Sequence, residues 1–145
     1  MDKVFKFIYK NKFDKIINYI EKNNLDINLR DKNNNYLIEY IIYNNNSNIL
    51  NYLLTKNIII DFINSEGRTI FYYIIKYNYI NLLQNIIESN IFDIYNITDK
   101  YNNIPLHYAI IMNNKKAFNL LIEKSDVNFI DINGNNSLFI ALINK

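Results

Sequence analysis

The chain repeats itself. Four short segments share one pattern: an apolar residue, then Asn or Asp, then Asn or Asp again three positions on. They are Ile27-Asn28 before Asp31, Ile60-Asp61 before Asn64, Tyr95-Asn96 before Asp99, and Val127-Asn128 before Asp131. Successive openings lie 33, 35 and 32 residues apart. A period of this size means one supersecondary unit used several times. Such a unit cannot bury its apolar face alone, so it has to stack on its neighbours.

A second series is in phase with the first. Three residues after each opening stand Asn34, Gly67, Asn102 and Gly134, and these are the only two Gly residues in the chain. Gly and Asn share a low cost at positive φ, so the slot reads as the left-handed position of a tight turn.

Apolar pairs follow each turn at helical spacing: Ile38 and Ile41, Phe71 and Ile74, Leu106 and Ala109, Leu138 and Ala141. Polar breaks near Asn11, Asn44 to Asn48, Asn78 and Asn113-Asn114 separate them from a second set of helical clusters. Those clusters are Ile16, Ile17 and Ile20; Ile49, Leu50, Leu53 and Leu54; Leu82, Leu83, Ile86 and Ile87; and Phe118, Leu121 and Ile122. Each unit therefore reads as turn, short helix, polar break, longer helix. The one Pro, Pro105, falls where a first helical turn would start, where its missing N–H does no harm. Short helices of this kind are marginal alone, so an all-α solenoid of stacked helix-turn-helix units is the expected fold.

Composition narrows the function. The chain has 145 residues, enough for one domain with a real core, and half of them are hydrophobic. Asn and Ile each supply about 30 residues, and the codons for these and for Lys, Tyr and Phe are A- and T-rich. The Asn residues punctuate apolar periodic segments, which argues against an Asn-rich disordered tract. There is no Cys and a single His. That excludes disulfides and thiolate metal sites and leaves almost no imidazole chemistry, so no metal and no cofactor is expected. A net charge of +2 gives no general footprint for nucleic acid. No apolar run is long enough for a transmembrane helix, and the N-terminus lacks the apolar core of a signal peptide. A cytoplasmic setting follows as the expectation.

The residues of the fourth unit resemble the ankyrin repeat. Ile104-Pro105-Leu106-His107-Tyr108-Ala109 is similar to that family's Thr-Pro-Leu-His-x-Ala signature, with Ile for Thr. Asp126-Val127-Asn128 is similar to its Asp-Val-Asn turn. Tyr36 to Ile41 and Thr69 to Ile74 keep the apolar pattern alone, apart from the Thr of Thr69. The whole chain then forms one ankyrin-repeat domain with units at residues 1–30, 31–63, 64–98, 99–130 and a partial 131–145. The two extra residues of the third unit are expected in the loop after its second helix. The partial unit either caps the stack with its first helix or marks a piece of a longer protein.

The resemblance implies a non-catalytic module that binds another protein through hairpin tips and the concave face of the short helices, with no small-molecule substrate. Carried onto this chain, the tips are Lys32, Asn33 and Asn35; Ser65, Glu66 and Arg68; Lys100, Tyr101 and Asn103; Ile132, Asn133 and Asn135. The groove side holds Tyr43, Asn44, Lys76, Tyr77, Ile111 and Met112. The partner-binding set is Arg68, Lys76, Tyr77, Lys100, Tyr101 and Met112, because Tyr and Arg commonly anchor interfaces. Tyr40, Tyr73 and Tyr108 share one slot and read as a stacking ladder with phenol tips in water, or as a stripe for a partner. His107 is the family's structural His rather than an acid or base. Asn128 is either a substrate for hydroxylation by an oxygenase or a turn Asn bonding its own backbone.

Two other readings stay open. The chain could be the ankyrin portion of a larger adaptor, such as a ubiquitin-ligase substrate receptor. Or the N-terminal Lys3, Lys6, Lys10, Lys12 and Lys15 could touch nucleic acid or a membrane, although a capping unit with a polar exterior is the plainer account. A-T-biased arrays of this look occur in protists and large DNA viruses, which extends the expected setting to a host cytoplasm.

Overall fold

The computed structural model describes residues 3–56, 58–90 and 93–144. Among the described residues there are nine α-helices and one 3-10 turn, and no strand beyond two isolated antiparallel bridges, Arg30 to Tyr36 and Ile63 to Thr69. The fold is all-α and follows the ankyrin pattern.

The helices group into two compact units, residues 1–60 and 61–145. The first holds α1 (Lys3–Tyr9), the 3-10 turn Phe13–Lys15, α2 (Ile16–Lys22), α3 (Leu37–Tyr43) and α4 (Ser47–Leu54). There α1 packs on α2, α3 on α4, and α2 on α4. The second holds α5 (Ile70–Lys76), α6 (Ile80–Ser89), α7 (Pro105–Ile111), α8 (Lys115–Leu121) and α9 (Ser137–Ile143). Its pairs are α5 on α6 and α7 on α8, and the repeat direction shows in α5 on α7, α6 on α8 and α7 on α9.

Helices α3, α5, α7 and α9 start from the same turn. Asp31, Asn64, Asp99 and Asp131 each accept two backbone N–H groups on Oδ1, from the residues two and four positions on, at 2.8–3.1 Å. Asn34, Gly67, Asn102 and Gly134 sit at φ of 67°, 77°, 59° and 80°. A left-handed Asn follows α1, α3, α5 and α7, at Asn11, Asn45, Asn78 and Asn113. Asn does here what Gly does in less A-T-biased sequences, because its short polar side chain tolerates that conformation.

Two of the second helices, α4 and α8, begin on Asn caps, whereas α2 does not. Asn46 accepts from the Ile49 N–H at 3.1 Å and Asn114 from the Ala117 N–H at 3.0 Å, each satisfying a donor with no helical partner. Helix α6 has no such cap and is the longest, at ten residues. It closes on left-handed Asn90. The helix thus runs on to Ser89, into the stretch where the extra length of the third unit is expected. Ile91 and Phe92, in that loop, lie outside the described residues.

The apolar pairs of the short helices form the core. Ile38, Ile41, Phe71, Ile74, Leu106 and Ala109 are all buried. In α9 the pattern breaks: Ile140 and Ser137 are buried, but Leu138 is 68% exposed and Ala141 is exposed as well.

Candidate interaction surface

The tyrosine slot carries a geometry that no local sequence pattern announces. Each Tyr reaches back nine positions to the residue that opens its own turn. The Tyr40 hydroxyl donates to Asp31 Oδ2 at 2.6 Å, and the Tyr73 hydroxyl accepts from Asn64 Nδ2 at 2.9 Å while donating to Glu66 Oε2 at 2.5 Å. The Tyr108 hydroxyl donates to Asp99 Oδ2. Tyr73 and Tyr108 are almost fully buried, so their phenol tips are not in water, whereas Tyr40 stays half-exposed. Burial and the Asp hydrogen bond push the Tyr40 and Tyr108 phenols above their ordinary range. Partial burial would raise the Asp31 carboxyl, but donors from Tyr40, Asn35 and Asn33 outweigh it and hold the group below its ordinary value.

Arg68, one of the expected binding residues, is also tied into the fold. Its guanidinium forms an ion pair with Asp99 Oδ2 at 2.9 Å, and that carboxylate is fully buried. Asp99 also takes the Tyr101 and Asn103 N–H groups and the Tyr108 hydroxyl, so both its oxygens are saturated. A buried carboxylate needs such a partner, and Arg68 joins the turn of one unit to the turn of the next. Its side chain keeps 27% of its surface in solvent.

The rings around Arg68 extend outward from this anchor. Its guanidinium lies 4.7 Å from the Tyr72 ring and 4.4 Å from the Tyr101 ring. The Lys100 ammonium lies 4.9 Å from the Tyr101 ring. The Lys76 ammonium lies 5.4 Å from Tyr72 and 5.7 Å from Tyr77. Lys76, Tyr77 and Lys100 are exposed, and Tyr72 and Tyr101 are half-buried. Five of the six expected residues thus fall on one connected cation–aromatic stripe. The sixth, half-buried Met112, closes α7 in the slot that Tyr77 occupies on α5. Tyr72 joins the two halves and was missed; its spacing of four from both Arg68 and Lys76 was the available signal.

The tips are stitched together by backbone. The Lys100 N–H donates to Gly67 O at 3.0 Å, and the Ile132 N–H to Tyr101 O at 2.9 Å. The Lys100 stem lies directly over Gly67, where a β-carbon would collide with it. Asn102 Nδ2 spans to Ile130 O at 2.7 Å. Asn103, named as a tip residue, is buried.

His107 is completely buried. Its Nε2 donates to Phe129 O at 3.1 Å, pinning the loop that follows α8, while Nδ1 has no hydrogen-bond partner. Burial pulls its pKa below the ordinary value, so it is a neutral strut. Among the described residues no group of three or more His, Asp or Glu side chains gathers where a metal could sit. Asn128 is exposed, and its N–H donates to Asp126 Oδ1 at 2.9 Å, so Asp126 supplies the turn bond there. The N-terminal lysines are exposed while Phe5 and Ile8 between them are buried. Among the described residues no helix is long and apolar enough to cross a membrane.

Repeated turns, paired helices and stitched tips define a helical repeat protein. Residues 101–132 match the ankyrin repeat family, so that stretch is an ankyrin repeat, and the all-α arrangement around it is consistent with an ankyrin-repeat fold. Ankyrin repeats are generally protein–protein interaction modules, and the family is typically non-enzymatic. No curated protein matches the chain.

Proposed function

We propose that this protein is a non-catalytic binding module that holds a partner protein on the stripe formed by Lys76, Tyr77, Tyr72, Tyr101 and Lys100, with Met112 at its edge. The observation that carries the reading is the exposure of two lysines and Tyr77 around rings fixed from beneath by Arg68 and Asp99. Rigid aromatic groups lose little side-chain entropy on binding, so a pre-ordered stripe suits an interface. A reducing cytoplasm, its own or a host's, is the setting we propose for a chain that needs no disulfide. The role as part of a larger adaptor is compatible with the same surface.

Affinity capture from the native cell tests the reading. The double variant Tyr77→Ala/Tyr101→Ala should lose the specifically captured protein while its thermal melt stays within a few degrees of wild type. Retention of the partner by that variant would place the interface elsewhere. Arg68 is left intact, because removing it would strand the Asp99 charge in the interior.

A further inference from the structure

The stripe also indicates what kind of partner it fits. Resting on the binding-module reading above, we infer that its occupant is an acidic, extended peptide segment carrying carboxylates beside an aromatic or apolar side chain. Among the described residues neither Lys76 nor Lys100 has a carboxylate within ion-pair distance, since the one ion pair is that of Arg68 with Asp99. The nearby Glu66 is already engaged by the Tyr73 hydroxyl. Both ammonium groups are held against ring faces rather than left to wander, Lys100 by its stem over Gly67 and by Tyr101, Lys76 by Tyr72 and Tyr77. Two positioned, uncompensated cations with aromatic faces between them are complementary to carboxylates flanking a side chain that can lie on those rings. A nucleic acid is the poorer match. Phosphate backbones are held by broad basic surfaces, and this chain is nearly neutral overall.

Fluorescence polarisation of the full chain decides the matter with three labelled probes. They are a short peptide alternating Glu and Phe, the same peptide with Gln for Glu, and a single-stranded oligothymidylate. The expected result is binding of the Glu peptide that weakens with salt, with little binding of the other two. Lys76→Glu/Lys100→Glu should weaken it about tenfold or more. Lys76→Gln/Lys100→Gln keeps much of each stem and guards against a folding defect; it should weaken binding by a smaller factor with an unchanged melt. Equal binding of the Gln peptide, undiminished binding by both double variants, or preference for oligothymidylate would overturn the inference. Partner capture that survives the lysine changes but is lost in Tyr77→Ala/Tyr101→Ala would sink the acidic-partner inference and leave the binding-module reading standing.

Discussion

Residues 99–130 and residues 131–144 open with the same turn and part ways within the helix that follows. Asp99 and Asp131 each collect two backbone N–H groups, and Asn102 and Gly134 are both left-handed. Then Tyr108 reaches back to Asp99, whereas the equivalent position after Asp131 is Ile140. Leu106 is buried, whereas Leu138, in the same slot, is mostly exposed, together with Phe139, Leu142 and Ile143. Helix α7 is packed by α5 on one side and α9 on the other; α9 packs on α7. The turn is thus a local property of its own residues. The burial of a short helix is a property of what stacks on it, and the same apolar pair can be core or surface.

The largest expected contrast lies in that shared slot. Leu106→Ala should cost about 2–5 kcal/mol in chemical denaturation, through lost transfer energy and a cavity. Leu138→Ala should cost less than about 0.5 kcal/mol, as an exposed truncation does. Similar losses at both positions would break the comparison.

The tyrosine bond comes next. Tyr108→Phe leaves a buried Asp99 oxygen short of one donor and should cost about 1–3 kcal/mol. Tyr40→Phe, at a half-exposed tip where water can replace the phenol, should cost about 0.5–1.5 kcal/mol. The two glycines sharpen the same point at smaller scale. Gly134→Ala meets only the backbone cost of positive φ, about 1–2 kcal/mol, because the space around it is empty. Gly67→Ala should cost more, since the Lys100 stem must also move. Gly134→Asn should be close to neutral, because Asn fills this slot at Asn34 and Asn102.

The smallest effect is one of pH. His107 is held neutral by burial, so its folded pKa lies below the ordinary 6.5. Its contribution is fully present above pH 6.5 and declines as pH falls toward the folded value, because the unfolded chain takes up the proton first. Asp31 and Asp131 are depressed carboxyls, so their contribution is present above about 3.8 and is lost only as pH falls further. Denaturation midpoints should therefore decline in two separate windows, and His107→Gln should flatten the upper one alone.

Much of the fold was legible because its signals are local. Gly and Asn in one phased slot report a backbone angle, and apolar pairs three apart report a helix face, so Gly67, Gly134 and Pro105 could be placed without coordinates. The site was legible only in part. Arg68 looked like an exposed tip because its partner Asp99 lies a whole unit away in sequence. The link from Tyr108 to Asp99 spans nine residues, a spacing that matches neither helix nor strand and arises only when a hairpin folds over the helix it precedes. The exposure of Leu138 was hidden for the converse reason, since its local pattern is that of a core residue.

Hydrogen exchange of α7 against α9 tests the central claim most directly, that two-sided stacking rather than local sequence protects each short helix. The account predicts that the α7 amides exchange slowest in the second unit, near the rate of global unfolding, and that the α9 amides exchange orders of magnitude faster through local opening. Equal protection of the two helices would contradict it.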